Sequence, residues 1–192
     1  MADRQLPSID LLRQLLRYDP ETGRLFWRER PLAMFRDSSY GATATRSAEW
    51  SAKKWNSRHA GKEAFTADDG GGYRRGQIFG GLHRGHRVIW AVHFGVWPEH
   101  EIDHINGDKS DNRISNLRAA TSSENAWNKS AYVNNTSGFK GVAWNEKAGK
   151  WAANIKVFGV QKHIGYFDTP DEAHKAYCSA AAADHGDFAR TV

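Results

Sequence analysis

The run Glu101-Ile102-Asp103-His104-Ile105-Asn106-Gly107-Asp108, continued by Asp111-Asn112-Arg113, Asn116-Leu117-Arg118 and Glu124-Asn125, places an acid, an imidazole and several amides within residues 101–125. Hydrolysis of a phosphodiester calls for such groups: a base that deprotonates water in line with the scissile bond, and hard oxygen ligands for a divalent cation that neutralises charge on the phosphate. Histidine titrates near neutral pH, so His104 can take the water proton. Asp103 and the amide oxygen of Asn125 are hard donors suited to Mg²⁺ or Mn²⁺. Asn116 lies 13 residues beyond Asp103, and Asn125 nine further. That spacing fits two short strands and a helix folded back on one cation. Consecutive strand residues point to opposite faces, so Asp103 and His104 can serve one site only at a strand end or edge, and the Asn106-Gly107 turn supplies that end. A buried amide has to be satisfied, so Asn116, at the start of the second short strand, is assigned the structural task of tying the loop to its own backbone.

Working outward, Thr121-Ser122-Ser123-Glu124 reads as a capping box, which starts a helix before Asn125 and puts Asn125 and Asn128 one turn apart on the same face. Upstream, Tyr73 to Phe79 reads as a strand, Gly80-Gly81 as a hairpin turn, and Arg87 to Phe94 as a helix stopped by Gly95 and Pro98. Ser8 can cap a short N-terminal helix with a stripe of Leu12, Leu15 and Leu16, followed by a turn into the strand Arg24 to Trp27. Residues 31–70 carry no clear period. After Asn134-Asn135-Thr136-Ser137-Gly138, a strand alternates Trp151, Ala153, Ile155 and Val157 with Lys150, Ala152, Asn154 and Lys156. Thr169-Pro170-Asp171-Glu172 opens a helix whose alanines can pack close to the apolar sheet face. The expected fold class is α+β, in four parts: an N-terminal extension (1–70), a central domain (71–132), a linker (133–137) and a C-terminal three-stranded antiparallel sheet with one helix (138–192).

The chain has 192 residues, 40% of them hydrophobic, with eight tryptophans and a formal net charge of +5. The basic residues are grouped: Arg74, Arg75, Arg84 and Arg87 follow Asp69 without an acid among them, and residues 139–163 hold five lysines against Glu146 alone. Such clustering is the footprint of a nucleic-acid partner. The single cysteine, Cys178, rules out an intrachain disulfide and a CxxC zinc knuckle, so no structural zinc is expected. No long apolar run supports a membrane role, and the expected location is the cytoplasm of a bacterium or phage-infected host.

The ordered set Asp-His-Ile-Asn-Gly-Asp, Asp-Asn-Arg, Asn-Leu-Arg and Glu-Asn resembles the HNH endonucleases of phages and mobile introns, in the subgroup whose last histidine is asparagine. The resemblance covers roughly residues 72–130. It implies a ββα-metal fold with His104 as general base, Asp103 and Asn125 as ligands of Mg²⁺ or Mn²⁺, and Asn116 as the loop-stabilising asparagine.

Farther on, Gly138-Phe139-Lys140-Gly141-Val142, Gly149-Lys150-Trp151 and His163-Ile164-Gly165-Tyr166-Phe167 with Glu172-Ala173 and Ala176-Tyr177 resemble an AP2 DNA-binding domain over about residues 137–190. That resemblance implies contacts to double-stranded DNA from Lys140, Asn154, Lys156, Gln161 and His163. Ala143, Gln161 and His163 depart from the plant pattern, so a plant target sequence does not transfer. Lys150 on the cationic face, and Arg74, Arg75 and Arg87 in the upstream basic segment, are further candidate DNA contacts. The combined expectation is a metal-dependent endonuclease that nicks duplex DNA, one site serving one strand, with the oligomeric state open and a monomer admissible. A homing or phage-packaging setting suits it. Deleting residues 136–192 is expected to weaken binding without removing chemistry. The alternative is a non-catalytic DNA-binding regulator on a nuclease scaffold.

Overall fold

The computed structural model describes residues 6–40, 44–131 and 134–191. The start of the N-terminal extension, residues 1–5, and the first linker position, Val133, with Tyr132 before it, lie outside the described residues. The chain is a mixed helix-and-sheet protein that divides into two compact units, residues 1–99 with 108–117 and residues 100–107 with 118–192. Segment 71–132 contributes to both.

In the first unit the Ser8 hydroxyl accepts from the Leu11 amide at 3.2 Å and opens α1 (Ile9–Leu15). Leu12, Leu15 and Leu16 are buried, with Leu25, Val88, Ile89 and Ala91, in the core of this unit. β1 (Leu16–Asp19) reverses through Gly23 into β2 (Arg24–Trp27). Gly23 has φ +70°, and a Cβ there would meet the Arg113 backbone nitrogen at 2.4 Å, so only glycine lets the 108–117 loop lie against this turn. The Tyr18 hydroxyl donates to the Asn112 carbonyl of that loop at 3.0 Å.

Residues 31–70 are more regular than their sequence signals. A 3-10 turn (Leu32–Met34) leads to the hairpin β3 (Ser38–Tyr40) and β4 (Ala44–Arg46), then α2 (Ala48–His59), β5 (Glu63–Ala64) and β6 (Ala67–Asp68). β5 completes a β1-β2-β5 sheet. Of α2 only Ala52 is buried; the helix is fastened by Trp55, edge-on to Trp27 at 5.6 Å and under the Arg30 guanidinium at 3.8 Å.

β7 (Arg74–Ile78) and β8 (Gly81–Arg84) add to β6 as a second three-stranded sheet. Their turn is Phe79-Gly80, one residue earlier than the Gly80-Gly81 turn that the sequence suggests. Ile78 pairs with Gly81, and Phe79 (φ +44°) and Gly80 (φ +83°) both take the left-handed conformation that a type I′ turn demands. α3 (Gly85–Phe94) starts two residues before the expected Arg87 and ends on Gly95, φ +75°, whose amide donates to the Ala91 carbonyl.

In the second unit β9 (Glu101–His104) pairs with β10 (Leu117–Ala120), and α4 (Ser122–Trp127) follows through a complete Thr121–Glu124 capping box. β11 (Val142–Asn145), β12 (Lys150–Val157) and β13 (Val160–Phe167) form an antiparallel sheet in sequence order, backed by α5 (Pro170–His185). Val142, Ala153, Ile155, Ala173, Tyr177 and Ala181 fill the interface, with Trp151 half-buried against them. Small residues on α5 let the helix approach closely, and Gly141, where a Cβ would meet the Tyr177 ring at 2.2 Å, shows how closely.

α4 is joined to this half by Trp127. Its ring stacks on His185 at 4.3 Å and meets Phe158 edge-on at 5.1 Å, while its carbonyl accepts from Lys140 Nζ at 2.5 Å. Among the described residues no helix is long and apolar enough to cross a membrane.

Candidate active site

Asp103 and His104 are the last residues of β9, 4% and 3% exposed. The chain turns at once beyond them: the Gly107 amide, at φ +78°, donates to the His104 carbonyl at 2.8 Å. The strand end that adjacent acid and imidazole require is therefore present.

The Asp103 carboxylate is held from two sides. From β10, Arg118 donates Nε and Nη2 to Oδ2 at 2.9 and 2.8 Å. From the C-cap of α4, Asn128 Nδ2 lies 3.0 Å from both carboxylate oxygens, 2.7 Å from the His104 carbonyl and 3.4 Å from that of Ile105. A buried carboxylate costs several kcal/mol unless paired and hydrogen-bonded, and these two residues supply both needs. An amide has two hydrogens, so four oxygens around one nitrogen make this point rich in oxygen.

Asn125 stands one turn earlier and donates instead to the Glu101 carboxylate, which also accepts the Ser122 hydroxyl at 2.7 Å. The α4 amide that the structure brings to Asp103 is thus Asn128. Its signal in the sequence was its place one turn beyond Asn125 on the same face. Arg118, which closes the Asn-Leu-Arg element, is a second residue of the site to which the motif by itself gives no role. Asn116, 7% exposed, belongs to the first unit, where its Nδ2 donates to the Asp111 carbonyl at 2.8 Å.

Among the described residues, no three His, Cys, Asp or Glu side chains cluster as metal ligands. A hard cation such as Mg²⁺ needs fewer, because it is usually bound by one or two carboxylates together with substrate phosphates and water. The donors at the end of β9 are a carboxylate, backbone carbonyls and the nearby amides of α4. This oxygen set fits such an ion in kind, while Arg118 opposes it in charge.

The sheet residues divide into two groups. Asn154 pairs across the strands with His163 and Lys156 with Gln161, so the four share one face; His163 Nδ1 lies 3.1 Å from Asn154 Oδ1. Lys156, Gln161 and His163 are exposed. Lys150 is exposed and ion-paired with Asp168 at 3.1 Å, a contact worth little in water. Lys140 differs, being half-buried with its ammonium on the Trp127 carbonyl; burial, with Arg190 adding, lowers its pKa from 10.5 to about 8. In the first unit Arg74 and Arg87 donate to the Thr66 and Pro98 carbonyls, both at 2.9 Å, and Arg75 is half-buried.

Residues 83–127 match the family model described as HNH endonuclease. Over 108 residues the chain is 32% identical to Protein 3.8 of Escherichia phage T7, an alignment covering 56% of this chain and 88% of that protein. The chain belongs to the HNH endonuclease family. No solved structure matches it. The HNH match runs from β8 through α4, taking in Asp103, His104, Asn116, Arg118 and Asn125, and stops one residue short of Asn128. An HNH domain suggests nuclease activity on DNA, and HNH nucleases generally depend on a divalent metal.

Proposed function

We propose that this HNH protein is a divalent-metal-dependent DNA endonuclease that nicks duplex DNA. The observation that carries the reading is the pair Asp103-His104, buried side by side at a strand end and braced by a buried amide. His104 is the general base that takes the proton of the attacking water. Asp103 and Asn125 are the protein ligands of the cation, Mg²⁺ or Mn²⁺, which when bound would neutralise charge on the scissile phosphate and leaving oxygen. Asn128, which is buried, clamps Asp103 and the His104 backbone through its Nδ2, while the half-buried Asn125, whose Nδ2 donates to the Glu101 carboxylate, would offer its amide oxygen to the cation. Asn116 braces the loop through the Asp111 carbonyl.

The C-terminal sheet and helix, AP2-like in sequence, would bind duplex DNA through Asn154, Lys156, Gln161 and His163, with Lys150 at the edge. Arg74, Arg75 and Arg87 would add phosphate contacts from the first unit. The phage T7 relative favours a phage or phage-infected cytoplasm as the setting.

A second reading, a DNA-binding regulator on a retired nuclease scaffold, draws support from one observation: Arg118 occupies the carboxylate that a cation would use. One assay separates them. Purified protein should convert supercoiled plasmid to the nicked form with Mg²⁺ or Mn²⁺, stop in EDTA, and lose activity on His104→Ala with DNA binding kept. Cutting that survives His104→Ala would falsify the base assignment. Salt-sensitive binding without cleavage at any metal concentration would establish the regulator.

A further inference from the structure

The guanidinium of Arg118 is engaged on every side. Two of its nitrogens go to Asp103, the third, Nη1, donates to the Asp187 carbonyl at 2.6 Å, and its face lies 3.7 Å from the Phe188 ring. Asp187 and Phe188 belong to the 3-10 turn (Gly186–Phe188) that follows α5. Two residues on, Arg190 Nη1 donates to the Asn106 carbonyl in the turn just after His104. Gly107 makes room for it, since a Cβ there would meet Arg190 Nη1 at 2.0 Å. The end of the C-terminal module therefore reaches both strands of the candidate nuclease site: β10 through Arg118, and the end of β9 through its turn.

We infer that Arg118 is a positioning residue of this site, seated by the C-terminal segment Asp187–Arg190, and that through Arg118 this segment sets how readily Asp103 takes a divalent cation. The inference rests on the metal-dependent reading above. The physical ground is competition. A guanidinium 2.8 Å from a carboxylate oxygen opposes a second cation at the same group, and the effect is strong where both side chains are largely out of water. The carbonyl of Asp187 and the ring of Phe188 hold the guanidinium by a charge-assisted hydrogen bond and a cation–π contact, which favours keeping it on Asp103 over turning to solvent. Asp103 thus stays paired before a cation arrives, and the site loads only against Arg118.

The test reads metal binding, without DNA and without turnover. Mn²⁺ binding to the full chain is followed by loss of the free-ion paramagnetic resonance signal for wild type, Asp103→Asn, Arg118→Gln, Arg118→Lys and Phe188→Leu, each checked for folding by circular dichroism. Asp103→Asn should lose the site. Arg118→Gln should tighten binding by roughly tenfold, Phe188→Leu by about twofold to threefold, and Arg118→Lys, which keeps the charge, should stay close to wild type. Unchanged or weaker binding in both Arg118→Gln and Phe188→Leu overturns the inference while leaving the metal site standing. Wild type that binds no better than Asp103→Asn overturns the inference, and the metal reading itself stands or falls separately on plasmid nicking with Mg²⁺ against EDTA. If Arg118→Gln fails to fold, Phe188→Leu, at a half-buried position beside the guanidinium, decides the matter.

Discussion

The end of β9 and the outer face of β12–β13 are both polar, and they are built in opposite ways. At the first, Asp103, His104 and Asn128 are buried and cross-bonded, the Asp103 carboxylate and the Asn128 amide nitrogen each held within 3.0 Å of a partner. At the second, Lys156, Gln161 and His163 stand exposed, and His163 touches Asn154 and the Tyr166 ring. Chemistry needs atoms fixed before the substrate comes, since a misplacement of about 1 Å can cost on the order of a hundredfold in rate. Attraction to a phosphate backbone tolerates mobile side chains and acts through charge. That difference agrees with the roles proposed for them, reaction at the end of β9 and affinity at the sheet face.

Mutations can break that contrast. The largest effect is expected from His104→Ala, a loss of roughly 10²–10⁴ in nicking rate at saturating DNA with affinity held within about twofold; plasmid conversion and fluorescence anisotropy measure the two. Next is deletion of residues 136–192. The sequence suggested loss of affinity alone, but the deletion takes Asp187 and Phe188 from Arg118, Arg190 from the Asn106 turn and His185 and Phe158 from Trp127. Nicking at saturating DNA should fall as well; a truncated protein that cuts at the full rate would show the site to be self-sufficient.

Asn128→Ala and Asn125→Ala sharpen the comparison within α4. Removing Asn128 strips donors from buried oxygens and should cost about 2 kcal/mol, read as a lower denaturant midpoint. Removing Asn125 should leave stability within about 0.5 kcal/mol while raising the metal needed for cleavage.

On the sheet, Lys156→Gln should weaken DNA binding a few-fold and reduce the salt slope by about one, without changing the saturated rate. The smallest effect concerns Lys140, whose folded pKa is lowered to about 8 by burial. The unfolded chain then binds more protons between about pH 8 and 10.5, so stability rises with pH across that window. Lys140→Met should flatten the rise, by on the order of 1 kcal/mol after screening of a half-exposed group, in urea titrations at pH 7 and 10.

Some of the fold was legible because its signals are local. Ser8, Thr121 and Thr169 cap the helices they precede, as their spacing to the next donors indicates. The strand Arg24–Trp27 and the alternation in β12 also follow from residues near in sequence. α2 leaves no clear period in the sequence because it buries little more than Ala52 and depends on Trp27 and Arg30, distant in the chain, to seat Trp55. The turn falls at Phe79-Gly80 and not at Gly80-Gly81 because Phe79 takes a left-handed φ that a bulky side chain rarely adopts.

The sequence by itself determined which chemical groups this protein could bring to a phosphate: an aspartate and a histidine at a strand end, amides spaced to return on a helix, and a cationic sheet downstream. Only the tertiary structure decided that Asn128 is the amide on Asp103, that Arg118 pairs with that acid, and that the C-terminal segment holds Arg118. The physical reason is burial. A carboxylate withdrawn from water must be paired, and which partner reaches it depends on elements 15, 25 and some 85 residues away that no local pattern brings together.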